Sequence, residues 1–187
     1  DLDLRGAGNL LGGQQSVHLD ALGFDLYTKM LERTISELRG EEVADETSVS
    51  INLGIDVSIP KDYIVEASQR LRTYKRISSA GSEEELLQIH SELRDRYGSI
   101  PASVDSLFEY AKIRRVADEM RIMSIDRTAD GVAVKLSEAS KVDPEKLMRM
   151  VSEDENIKFS PNGILRFPAA SGELLPALRT MLDNIRI

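Results

Sequence analysis

The sequence predicts an α+β fold in which β-hairpins form a small sheet covered by helices, preceded by a loop-helix segment. Three observations predict it. Apolar residues hold every odd position from Val49 to Ile59, with small or polar residues between them, as in a strand with one buried face. Asp130-Gly131 and Asn162-Gly163 each lie between two short strand-length runs, the pattern of a tight hairpin. Around these runs the apolar spacing changes to that of helices, with residues that start and stop them.

The elements follow in order. A glycine-rich stretch, Gly6 to Gly13, opens the chain. Leu19, Leu22, Leu26, Met30 and Ile35 then recur at mostly helical spacing, with Gly23 as an interruption. Residues 1–38 therefore form one segment. The polar, acidic residues 39–47 have no period and read as a linker. Residues 48–187 form the α+β domain. Its first strand spans Val49 to Ile59 and bends at Gly54. Pro60 opens a helix with Tyr63, Ile64, Ala67, Leu71 and Tyr74 on one face. Ser82 and Glu85 form a capping box for a second helix, which Gly98 ends. Pro101 begins a third, with Val104, Leu107, Phe108 and Ala111 inward. The hairpins pair Ser124–Thr128 with Val132–Leu136, and Ile157–Ser160 with Ile164–Phe167. A helix over Pro144–Val151 separates them, and Gly172–Ile185 supplies the last helix.

Composition excludes several classes. The 187 residues carry 24 Lys and Arg against 32 Asp and Glu, a net charge of −8, so a grip on nucleic acid by charge alone is not expected. Cysteine is absent, which excludes disulfide scaffolds and thiolate metal sites and fits a reducing cytoplasm. No apolar run approaches the roughly 18 residues of a membrane span. The chain begins at Asp1, not Met, and is expected to be a piece of something longer.

Reactive constellations are missing. Gly6-Ala-Gly-Asn-Leu-Leu-Gly12 suggests a phosphate loop, but the dinucleotide fingerprint needs glycine where Leu11 stands. The Walker pattern needs Gly-Lys-Ser/Thr, and Gly12-Gly13-Gln14 does not supply it. A glycine-rich turn that allows close backbone packing accounts for the stretch better. His18 and His90 are the only histidines, and one imidazole beside Asp20 falls short of the three or four ligands zinc needs. Catalysis by this chain alone is not expected, and it should hold neither cofactor nor metal.

Asp1-Leu-Asp-Leu-Arg-Gly-Ala-Gly-Asn-Leu-Leu-Gly-Gly-Gln-Gln-Ser16, continuing to Gly23-Phe-Asp-Leu-Tyr27, closely resembles the bacterial transcription-repair coupling factor family just after its last helicase motif. Tyr74-Lys-Arg-Ile-Ser-Ser-Ala80 and Leu93-Arg-Asp-Arg-Tyr-Gly98 resemble the same family's carboxy-terminal domain. The resemblance implies a bacterial cytoplasmic, nucleoid-associated parent. That parent is an ATP- and magnesium-dependent translocase on double-stranded DNA, which displaces stalled RNA polymerase and recruits UvrA for nucleotide excision repair. It makes residues 1–38 the tail of the motor. There Arg5 and Gln15 match the translocation motif shared with the RecG branch-migration helicase, and would couple hydrolysis to movement. Val17 stands where the family often has glycine. RecG itself is the runner-up, as parent of a DNA-binding accessory domain, but it lacks this α+β extension.

The resemblance also gives the second helix a task. At about 100° per residue, Leu86, Ile89, Leu93 and Tyr97 share one side, and Glu84, Gln88, Glu92 and Asp95 the other. On residue types alone that side is a solvated face. In the family this domain docks on a UvrB-homology module of the same protein and covers the UvrA-binding surface, which is autoinhibition. Glu92 and Asp95 match the acidic docking positions. The basic residues Arg70, Arg72, Lys75 and Arg76 on the first helix could touch DNA, pair with the acidic helix or be solvated, and the net charge favours the last two.

Overall fold

A computed structural model describes Leu38 and residues 48–187. The segment predicted over residues 1–38, including Arg5, Gln15 and His18, and the stretch 39–47 lie outside the described residues, Leu38 apart. The described chain divides into two compact units, one of residues 56–111 and one of 48–55 with 112–187.

In the first unit, Asp56 begins a turn in which the Ser58 N–H and hydroxyl both donate to its Oδ1, at 3.0 and 2.6 Å. These bonds hold the Asp56 carboxyl below its usual pKa. Pro60 does not open the long helix. The Tyr63 and Ile64 N–H groups both bond to the Pro60 carbonyl, which closes a single turn. The chain then runs extended through Glu66, and α1 spans Ala67–Ser78. This changes its face. Arg70, Thr73, Tyr74 and Ile77 are buried, whereas Ala67 and Leu71 are only half-buried. The Tyr74 hydroxyl reaches back and accepts from the Ile59 N–H at 2.6 Å, so the tyrosine serves as both core and clamp. Next come α2, Glu83–Tyr97, and α3, Ala102–Glu119, which begins in this unit and continues into the second from Lys112, with Val104, Leu107, Phe108 and Ala111 inward as predicted.

The second unit contains the sheet, in the order β1-β2-β3-β5-β4. Its strands are β1 Ser50–Asn52, β2 Ser124–Arg127, β3 Gly131–Lys135, β4 Lys158–Phe159 and β5 Ile164–Pro168. The two hairpins form as predicted, but the sheet is mixed: β1 pairs parallel to β2, Ile51 opposite Ile125. The predicted strand from Val49 to Ile59 shrinks to three ladder residues. Gly54, at φ +64°, turns the chain off the ladder, while Leu53 and Ile59 stay buried. Alternation therefore reports burial here and not pairing.

Ile51, Ile125, Val134 and Leu165 form a buried row across four strands, with Val132 and Phe167 beside it. Arg166 and Lys158 alternate outward. Helix α4, Pro144–Glu153, is capped by Asp143, whose Oδ1 accepts from the Glu145 and Lys146 N–H groups. A 3₁₀ turn, Ser171–Glu173, precedes α5, Leu174–Ile185, so the last helix starts two residues later than predicted. Helix α5 packs on β3 and buries Leu174, Leu175, Leu178, Met181, Leu182 and Ile185.

Of the two hairpin glycines, only Gly163 is needed for its turn conformation. Gly163 sits at φ +84° in its hairpin. Gly131 is the first residue of β3, and a Cβ there would lie 2.1 Å from the Phe167 carbonyl oxygen. It is glycine because another backbone occupies the space.

Candidate functional site

Helix α2 begins as the sequence predicts. The Glu85 N–H donates to Ser82 Oγ at 3.1 Å, and the Glu85 carboxylate accepts from the Gly81 N–H at 2.7 Å. The carboxylates of Glu83, Glu84 and Glu85 in the first turn complement the positive end of the helix. Gly98 ends the helix at φ +90°, its N–H bonded to the Arg94 carbonyl. Near that end the Tyr63 hydroxyl lies 3.2 Å from the Leu93 carbonyl oxygen and 3.1 Å from that of Gly98. Burial, then the nearby Asp105 and Tyr97, raise the phenol's pKa, so it stays a neutral donor.

The helical wheel holds. Leu86, Ile89 and Leu93 are buried and Tyr97 half-buried, while Glu84, Gln88, Glu92 and Asp95 are exposed. The two acids singled out from sequence are not equivalent. Glu92 Oε2 pairs with Arg76 Nη1 of α1 at 2.7 Å, both side chains about half exposed (47% each). Asp95 has no ion-pair partner among the described residues.

The basic helix separates in the same way. Arg70 is 5% exposed, and its Nη1 donates to the carbonyls of Ile64 and Val65 at 2.7 and 2.9 Å. It holds the extended entry to α1 and cannot reach a nucleic acid from there. Arg76 is taken by Glu92, and Arg72 and Lys75 are exposed. Pairing with the acidic helix is therefore realised at Arg76 alone among the described basic residues of this helix. Burial of Arg70 was not anticipated, because nothing in the sequence marks an arginine as the donor to a loop six residues earlier.

Sequence reasoning also missed the surroundings of His90. Its Nε2 lies 2.9 Å from Asp105 Oδ1, and its ring meets that of Phe108 edge-on at 5.0 Å. Asp105 is fifteen positions away and belongs to α3, so no local signal joins them. Among the described residues no three His, Asp or Glu side chains are grouped to hold a metal, and no helix is long and apolar enough to cross a membrane.

Residues 53–147, half of the chain, match the family model of the TRCF domain. The chain belongs to the transcription-repair-coupling factor family. The transcription-repair-coupling factor of Bacillus subtilis (strain 168) is 37% identical over 153 residues, covering 80% of this chain. That of Escherichia coli (strain K12) is 34% identical over 158 residues, covering 82%, and that of Myxococcus xanthus 33% over 177 residues, covering 92%. The chain spans only 13–15% of the length of these coupling factors. A crystal structure of the C-terminal domain of transcription-repair coupling factor shares the fold, with a TM-score of 0.65 at 18% identity, covering 76% of this chain and 94% of that one. The α+β architecture is thus that of the coupling factor's C-terminal domain.

Proposed function

We propose that this chain is the carboxy-terminal part of an ATP-driven DNA translocase that displaces stalled RNA polymerase and recruits UvrA to start excision repair. Within it, residues 48–187 dock on the UvrB-homology module of the same protein and hold the UvrA-binding surface covered. This chain has no catalytic step of its own, and ATP and magnesium belong to other parts of the parent. The observation that carries the reading is the solvent face of α2 in a chain of this family. It is an acidic surface on a well-capped helix, with Asp95 exposed and without a counter-charge among the described residues.

The geometry ranks the two acids. Removing Glu92 breaks an exposed intradomain pair, worth about 0–1 kcal/mol, and releases Arg76. Asp95 is available to a basic partner surface, where a close charge pair contributes about 1.5 kcal/mol or more. In the full-length protein, Asp95→Ala should raise UvrA capture about tenfold and Glu92→Ala by less, with unchanged melting of the isolated chain. Equal capture by wild type and Asp95→Ala would remove α2 from the docking surface.

Residues 1–38 couple hydrolysis to movement through Arg5 and Gln15. This part rests on their match to the translocation motif. A guanidinium and an amide on a glycine-rich loop can exchange hydrogen-bond partners between two arrangements. In the full-length protein, Arg5→Ala and Gln15→Ala should keep ATP hydrolysis within about twofold and abolish displacement of stalled polymerase. Normal displacement by both variants would refute the coupling role.

A further inference from the structure

In the second unit, α4, β5 and α5 line a groove of about 520 Å³. Its apolar lining includes Met150, Ile157, Phe167 and Met181. Its charged lining residues among those described are Glu153, Asp154 and Glu173, all exposed acids, with no described lysine or arginine beside them in the lining. Two features need an explanation that the fold does not supply. Glu153 is the last residue of α4 and Asp154 its C-cap, so two carboxylates stand at the negative end of a helix whose last turn has no basic residue. A helix end favours cations there. The Asn156 N–H, donating to Asp154 Oδ1 at 2.9 Å, offsets this in part. In addition, two of the apolar lining residues are methionines, side chains that adapt their shape to a partner.

We propose that this groove receives a basic amphipathic helix of a partner protein. Apolar anchors one helical turn apart would enter between Met150 and Met181, and Lys or Arg beside them would meet Glu153, Asp154 and Glu173. Charge complementarity selects this occupant. An acidic or neutral helix would leave the carboxylates at the α4 terminus uncompensated, and a fully apolar segment would leave them facing its surface. The site involves no residue of α2, so it stands or falls independently of the docking role given to Asp95.

The probe is a peptide about 18 residues long with leucine and lysine at helical spacing, about 27 Å as a helix. Its leucine–glutamate counterpart is the control. The readout is the methyl spectrum of the 187-residue chain labelled at methionine. The basic peptide should shift the Met150 and Met181 signals and leave that of Met120, which does not line the groove, in place, and the acidic peptide should shift none. Glu153→Lys with Glu173→Lys should weaken binding at least about tenfold at an unchanged melting temperature. Should that double variant melt early, Glu173→Gln alone should still weaken binding about threefold. Equal binding of both peptides overturns the proposal. So does binding of the basic peptide with Met150 and Met181 unmoved, which would place it on another acidic surface such as α2. Affinity unaffected by the charge changes would do the same.

Discussion

Gly131→Ala is expected to destabilise the protein by about 3 kcal/mol or more and lower its melting temperature by about 6–12 °C. The added Cβ would lie 2.1 Å from the Phe167 carbonyl oxygen, 2.7 Å from the Ala169 nitrogen and 2.7 Å from Pro168 Cα. All three are backbone atoms, so no side-chain rotation relieves the clash. β3 or β5 must move, and their ladder runs from Gly131 opposite Pro168 to Lys135 opposite Ile164. That ladder carries the buried Val132–Phe167 and Val134–Leu165 pairs, so any shift also disturbs the core. Gly54→Ala is the control. It places a side chain at φ +64° in open space and should cost only about 1–2 kcal/mol. Thermal melts of both variants decide between the two reasons for glycine. Equal, small losses would mean that Gly131 serves only as a turn residue.

Arg70→Ala should cost about 3 kcal/mol, measured as a lower urea midpoint at constant slope. The truncation removes two charge-assisted bonds and strands the carbonyls of Ile64 and Val65, where the chain enters α1. The neighbouring exposed Arg72→Ala should stay within about 0.5 kcal/mol of wild type. The pair also tests the rival reading of this helix as a DNA contact. A phosphate contact would show the reverse pattern: normal stability in Arg70→Ala, weaker duplex binding, and a salt slope reduced by about one. That outcome would restore the basic cluster as a nucleic-acid surface.

How much was legible in the sequence varies with the range of the forces involved. Local chemistry read correctly. The Ser82 cap, the Gly98 terminus, the Pro144 helix start and the Asn162-Gly163 turn each depend on atoms a few residues apart. Helix faces read well where the apolar stripe was long: Leu86, Ile89 and Leu93 on α2, and Val104, Leu107, Phe108 and Ala111 on α3. Alternation from Val49 to Ile59 named mostly the right inward residues but could not say whether a partner strand lay alongside. Hydrogen-bond pairing depends on where the neighbouring strand ends, and Gly54 takes the chain away after Asn52.

By itself, then, the sequence determined the element order, the capped acidic helix, the α+β class and, through the family match at residues 53–147, the family. Tertiary structure alone decided the parallel pairing of β1 with β2, the burial of Arg70, the Arg76–Glu92 pair and the backbone crowding at Gly131. Each of these joins groups from different elements. Their energies depend on distances of a few ångströms that neither residue type nor local spacing encodes. For the same reason Glu92 and Asp95 look alike on a helical wheel, yet among the described residues only Glu92 has a counter-charge from a neighbouring helix.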